Sequence, residues 1–433
     1  MPANLTDPLK LPCGATLRNR LAKSAMTEGL ADASGRPNER HVNLYRLWAE
    51  GGAGMLLTGN VMIDADHLER PGNVIIAREP DDDMRKRLSA WAKAGTAHDT
   101  HLWMQISHPG RQTQIFVNPH PKAPSAVALG LPGKQFGVPI PLTETEIETV
   151  IASFARAARV AKETGFTGVQ IHAAHGYLIS QFLSPRANLR TDKWGGSLEN
   201  RARLLLETIK RTRAAVGPAF PISVKLNSAD FQKGGFAFED SLTVARWLQD
   251  AGVDLIEVSG GTYEQPKMMN MDGLEAAEAQ KLAASTAARE AYFVDFAKAM
   301  RAALTIPVMV TGGIRTRTAV EHALSSDAAD VVGIARPMCV DTDAPRHLID
   351  NVADLTRWES KLSMFPGWLA FLRNVALVRA VEGFAVLYWY YAQLYRLGDG
   401  KGVDRNLGVF SAYREVDGTH HRLARERQPA KAA

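Results

Sequence analysis

The segment Val169-Gln170-Ile171-His172-Ala173-Ala174-His175-Gly176-Tyr177-Leu178 holds the chain's densest set of reactive side chains. A short apolar run ends on His172, so two histidines three apart stand where a strand turns into a loop, and a phenol, Tyr177, follows closely. Imidazoles placed there aim at one point and offer hydrogen bonds to a carbonyl, nitro or phenolate oxygen, polarising it. The competing readings are a zinc site and two core histidines. Zinc wants a third ligand, and no Cys, Asp or Glu stands at a telling spacing. A pair at the open end of a strand favours a site over a core.

Lys225 lies inside Ile222-Ser223-Val224-Lys225-Leu226-Asn227, a run otherwise apolar enough to be buried. A buried cation needs a partner. That partner is an anionic ligand or a structural carboxylate; alternatively the amine is the nucleophile of a Schiff-base aldolase. Two further segments, Val310-Thr311-Gly312-Gly313-Ile314-Arg315 and Val332-Gly333-Ile334-Ala335-Arg336-Pro337, end β-branched runs with groups suited to phosphate. Glycines let backbone N–H groups approach, and Arg336 supplies a charged fork.

These residues serve one site only if strand ends converge. Strand candidates fall at Leu21 to Ala25, Gly54 to Asn60, Leu102 to Ser107, Thr167 to His172, Pro221 to Asn227, Asp254 to Ser259, Ile306 to Thr311 and Asp330 to Ile334. Helical patterns alternate with them at Glu39 to Glu50, Asp82 to His98, Glu144 to Thr164, Leu198 to Val216, Glu239 to Ala251, Ala291 to Ala303 and Thr316 to Leu324. Thr143 followed by Glu146 has capping-box spacing, and Gly165 and Gly252 mark helix ends. The alternation predicts an α/β protein with a parallel sheet, and eight units predict a (β/α)8 TIM barrel. No Gly-x-Gly-x-x-Gly follows the first strand, which counts against a Rossmann domain. Long connections, Ser107 to Thr143 and Gly260 to Ala288, leave strand C-termini, the end where barrels build active sites.

The histidine segment is followed by Phe182-Leu183-Ser184-Pro185, Asn188, Arg190-Thr191-Asp192 and Trp194-Gly195-Gly196-Ser197-Leu198-Glu199-Asn200-Arg201. Together these resemble the Old Yellow Enzyme family of FMN-dependent ene-reductases and NADH:flavin oxidoreductases, over roughly residues 5 to 345. The resemblance implies FMN at the barrel mouth and NADH or NADPH as reductant. It places the backbone of Ala25 and Met26 against the isoalloxazine and the Thr27 hydroxyl on flavin O4. Asn60 and Gln105 would face the flavin, Gln105 along the pyrimidine edge, and Lys225 would stand by N1. Gly312, Gly313, Ala335 and Arg336 would hold the phosphate; relatives often carry glycine where Ala335 stands. His172 and His175 would bind the acceptor, and Tyr177 or water would protonate it. The implied reaction is ping-pong: hydride from NAD(P)H to flavin N5, then to the β-carbon of an enone or to a nitro compound. The two cysteines exclude the iron–sulfur form of the family.

With 433 residues, 45% of them hydrophobic and 22% charged, the chain reads as globular. Residues 1 to 345 are expected to form the barrel. Residues 346 to 400 include an aromatic stretch around Trp368, Phe371, Phe384 and Trp389, interrupted by Arg373, Arg379 and Glu382. It is expected to be a helical extension packed on the barrel or on a second subunit, with an interfacial membrane helix or a tethered scaffold carrying an inactive barrel as alternatives. Residues 401 to 433 read as a solvated basic tail with 7 basic and 4 acidic residues. The net charge of +5 includes no basic face of the kind nucleic acid needs. With no signal-like opening and no disulfide framework, a cytoplasmic homo-oligomer acting on a small molecule is expected.

Overall fold

Eight parallel strands close on themselves in a computed structural model that describes residues 3–131, 135–262, 264, 296–365 and 376–427. They are β1 (Leu21–Lys23), β2 (Met55–Leu57), β3 (His101–Ser107), β4 (Gly168–Ala173), β5 (Ile222–Asn227), β6 (Leu255–Ser259), β7 (Val308–Thr311) and β8 (Val331–Ile334). Each pairs in parallel with the next, and β8 returns to β1 through Val332 opposite Leu21. This is a (β/α)8 barrel. Its strands are buried on both faces, as every residue of β4 shows, because helices cover the outside and side chains fill the inside.

The outer helices are α1 (Glu39–Glu50), α2 (Asp82–Gly95), α3 (Glu144–Glu163), α4 (Leu198–Val216), α5 (Phe238–Asp250) and α6 (Arg317–Ser325). Helix α3 starts where the capping box predicts: Thr143 N donates to Glu146 Oε2 at 2.8 Å and Glu146 N to Thr143 Oγ1 at 3.3 Å. Of the expected helix Ala291 to Ala303, residues 296–303 are described and are helical, whereas the connection Gly260 to Ala288 lies largely outside the described residues. A short helix, Leu178–Leu183, and two small strands after β2, Val61–Met62 and Val74–Ile75, carried too few residues to show a period in the sequence.

Two C-terminal helices follow, α7 (Ala376–Gly398) and α8 (Val409–Arg427). The aromatic side chains of α7 are covered from within the chain: Tyr395 by α1, Tyr388 by Tyr413 and His420 of α8, Trp389 by Trp358 and Tyr391 by Arg70. Asn43 Nδ2 donates to Gly398 O at 3.1 Å, Arg40 pairs with Asp399 at 2.7 Å, and the Arg40 guanidinium stacks 4.8 Å from the Tyr395 ring centre. Trp389 is fully buried and Tyr390 and Tyr395 nearly so. Among the described residues no helix is long and apolar enough to cross a membrane; Trp368, Phe371 and Arg373 lie outside them. The expected solvated tail is instead largely helix α8, whose Val409, Ala412, Val416, His420 and Leu423 are buried. Its apolar residues recur at helical spacing, a signal that its excess of basic residues obscures.

Burial holds two histidines of this region neutral. It pushes His41 on α1 down to about 3, with Arg40 adding repulsion, and His420 on α8 down to about 3, helped by Arg70. Both folded values lie below the unfolded value of about 6.5, so in acid the unfolded chain binds protons that the folded one refuses. Stability is therefore complete above about pH 6.5 and falls as pH drops toward 3, by up to about 1.4 kcal/mol per unit for each histidine. Urea unfolding at pH 7 and pH 5 should show a lower midpoint at pH 5; equal midpoints would contradict the assignment.

Candidate active site

At the C-terminal mouth of the barrel the strand ends enclose a cavity of about 240 Å³. His172, Lys225 and Glu257 are level with one another on β4, β5 and β6, and Gln105 on β3 is level with Gln170 on β4. Level residues on parallel strands point to the same side, so the barrel stacks these polar groups in layers beneath the cavity.

The β4 turn is sharp. His175 has φ +61° and Gly176 φ +75°, and a Cβ on Gly176 would lie 2.6 Å from Gln112 Oε1. The turn brings His175 and Tyr177 to 5.1 and 4.7 Å from His172, ring centre to ring centre. His172 Nδ1 accepts from Ala174 N at 3.2 Å, which leaves Nε2 carrying the hydrogen. His175 Nε2 lies 2.6 Å from Ser259 Oγ, so that nitrogen is already committed and Nδ1 remains. Burial, then His175 and Lys225, holds His172 well below the usual imidazole range; burial and Lys225 bring His175 to about 3. Both are neutral at physiological pH, and His172 presents a neutral N–H donor.

Tyr177 Oη accepts from Asn60 Nδ2 at 3.4 Å, and the same nitrogen donates to Thr27 Oγ1 at 3.3 Å. Thr27 gives its hydroxyl hydrogen to Glu69 Oε2 at 2.9 Å. In this structure, then, the hydroxyl hydrogen points to Glu69.

Lys225 is also partnered within the protein, 3.0 Å from Glu257 Oε1, both side chains being buried. Glu257 accepts further from Thr311 Oγ1 at 2.7 Å and from Gln170 Nε2 at 2.9 Å, and Gln105 Nε2 donates to Gln170 Oε1 at 2.7 Å. Of the partners left open by the sequence, the structure shows the carboxylate, Glu257. One carboxylate balances Lys225 and fixes, through Gln170, the amide of Gln105.

Ala25, Met26, Thr27 and Asn60 line the cavity on one side, and Ala335 and Arg336 on another. Gly312 and Gly313, with φ +141° and +64°, stand in the loop after β7 and do not line the cavity itself. Next to them Arg315 lies 3.0 Å and Arg336 3.9 Å from one oxygen of Glu359, whose other oxygen accepts from Tyr390 Oη at 3.0 Å. Burial would raise the Glu359 carboxyl, but Arg336 and Arg315 outweigh it and hold it below its usual value.

The residues fit FMN. Among the described residues Asn60 Oδ1 is a buried acceptor without a hydrogen-bond partner, the Gln105 amide is held in one orientation, and positive-φ glycines precede Arg315, whose charge lies near that of Arg336.

Sequence reasoning missed Glu257, Gln170, Glu69 and Arg70, and the α7 residues Leu387, Tyr390, Tyr391 and Leu394 that wall the cavity. Glu257 was findable: like Lys225, it is a charge in an otherwise apolar strand. Glu69 and Arg70 precede a Pro-Gly turn, where charges are ordinary.

Among the described residues, Asp64, His67 and His108 come close enough to hold a metal ion. Their hydrogen bonds oppose it. His67 Nε2 accepts from Lys122 N at 2.8 Å and His108 Nδ1 from Gly110 N at 3.0 Å. The hydrogens therefore sit on the nitrogens that face Asp64, where a metal would need lone pairs.

The profile of the NADH:flavin oxidoreductase / NADH oxidase family matches residues 4–354. An NADH-dependent flavin oxidoreductase, iliE, of Hypocrea jecorina (strain QM6a) is 39% identical over 369 residues, covering 79% of this chain and 88% of that protein. Its namesake in Neonectria sp. (strain DH2) is 41% identical over 355 residues, and there the match covers 78% of this chain but 46% of the longer relative. Among solved structures, the old yellow enzyme homologue from Zymomonas mobilis superposes with a TM-score of 0.68 at 25% identity, over 82% of this chain and 94% of that one. A flavin oxidoreductase family of this kind leaves the Schiff-base aldolase without support. The chain belongs to the NADH:flavin oxidoreductase / NADH oxidase family, an Old Yellow Enzyme-like oxidoreductase whose cofactor is FMN and whose reductant is NADH or NADPH.

Proposed function

We propose that the chain reduces activated C=C bonds of enones, or nitro compounds, with electrons from NAD(P)H in ping-pong order. The observation that carries this reading is the neutral Nε2–H of His172, placed in one cavity with His175, Tyr177 and Lys225. FMN, when bound, supplies the two-electron relay between NAD(P)H and acceptor. Thr27, Asn60, Gln105 and Lys225 would border its ring, with Ala335, Arg336 and the Gly312–Gly313 loop toward its phosphate.

His172 binds the acceptor oxygen through Nε2–H, and His175 contributes Nδ1 beside it. Tyr177 gives the proton that the α-carbon requires, and the hydrogen bond from Asn60 stabilises the phenolate left behind. The α7 side chains exclude water from the reacting carbon.

His172→Ala tests the reading. Enone and phenol affinity should fall about tenfold to a hundredfold, the worth of one polarised hydrogen bond, while FMN stays bound. Unchanged acceptor kinetics in both His172→Ala and His175→Ala would show that the acceptor binds elsewhere.

A further inference from the structure

Arg70 is buried in the cavity wall, 9% exposed, on the loop between β2 and α2. Its Nε and Nη2 both donate to Glu69 Oε1, Nε at 2.8 Å, and its guanidinium stacks 4.3 Å from the centre of the Tyr391 ring on α7. Among the described residues Nη1 has no hydrogen-bond partner. The neighbouring acceptors among the described residues are committed: Glu69 spends its other oxygen on Thr27, and Asn73 Oδ1 accepts from Arg70's own backbone N at 2.9 Å. A buried charged donor left unmet is costly, and such a group in a cavity wall is matched by what enters the cavity.

The polar wall runs as a chain of hydrogen bonds from Tyr177 through Asn60 and Thr27 to Glu69 and Arg70. Arg70 therefore ends the chain of bonds that begins at Tyr177, beside His172. Of the charged side chains that line the cavity among the described residues, Arg70, Lys225 and Arg336 are cationic and Glu69 alone is anionic. We propose that Arg70 is an acceptor-binding residue: Nη1 donates to a second oxygen of the molecule whose first oxygen His172 holds, and the site selects acceptors with a distal carboxylate. A carboxylate makes the strongest such bond, because both partners are charged. Tyr391 keeps the guanidinium in place, so the C-terminal extension takes part in the selection.

The inference rests on the acceptor reading above, and the test separates the two. Calorimetric titration of the FMN-loaded enzyme with phenol, 3-hydroxybenzoate and 4-hydroxybenzoate should show one hydroxybenzoate binding at least about tenfold more tightly than phenol. Arg70→Met should abolish that preference while moving phenol affinity less than about twofold; Arg70→Lys, which keeps the charge, should retain part of it. An equal preference in Arg70→Met and the unaltered enzyme would overturn the proposal. So would a parallel loss for all three ligands or a weakened FMN dissociation constant, either of which makes Arg70 a wall or cofactor residue. His172→Ala bears on the other reading: phenol affinity unchanged there, with the hydroxybenzoate preference intact, would sink the His172 assignment and leave Arg70's standing.

Discussion

Lys225→Met should destabilise the fold by about 3–5 kcal/mol, the cost of leaving a buried charge without its partner. Glu257 has no exposure, and without the lysine it keeps only the neutral donors Gln170 and Thr311. The damage should reach the cavity as well, since Gln170 is what orients Gln105. A second consequence is electrostatic. Removal of the cation, with Glu257 left unopposed, should make negative charge near it less favourable and lower the potential of bound flavin. The matched experiment is the pair Lys225→Met and Lys225→Met/Glu257→Gln. Urea midpoints should drop in the first and recover substantially in the second, while dye-equilibrated potentials should fall most in the single variant. An unaltered midpoint would mean that the ion pair contributes nothing, and an unaltered potential would remove Lys225 from the flavin's surroundings.

That prediction depends on a residue the sequence reading passed over, and the reason is physical. Strand and helix periods were legible because parallel strands buried on both faces read as short continuous apolar runs, and the helices between them carry an apolar stripe. Hence β3 to β8 fall within a residue or two of expectation, and Thr143 caps α3 as its spacing requires. Side chains at the ends of strands, such as His172 and Lys225, were legible because polar groups in apolar runs demand an explanation. What could not be read was partnership. Lys225 meets Glu257 because barrel closure sets β5 beside β6 in one register, and no local pattern states that register. The same holds for Thr27, whose hydroxyl is drawn to Glu69 by a loop more than forty residues onward in the chain. The wall contributed by α7 was equally hidden, because an aromatic helix announces that it must be covered and not by what.

Ending the chain after residue 354 should yield an aggregating protein that loses flavin, because α7 is built into the site as well as the fold. Trp389, Tyr390, Tyr391 and Tyr395 are all nearly or fully buried. At about 25 cal/mol per Å², each aromatic side chain contributes roughly 4–6 kcal/mol as an upper bound, and their loss rivals the roughly 5–15 kcal/mol stability of a whole domain. Truncation would also bare the covered face of α1 and strip Arg70 of the Tyr391 ring, creating an apolar patch beside an open cavity. A milder variant separates packing from gross loss. Trp389 stacks on Trp358 with ring centres 5.9 Å apart and donates from Nε1 to Leu407 O at 2.8 Å. Trp389→Ala should therefore cost about 3–5 kcal/mol while leaving the chain foldable. Gel filtration and the flavin-to-protein absorbance ratio would read both variants. A truncated chain that stays soluble and keeps its flavin would show that the barrel is complete without α7, and that the tyrosines only rest on it.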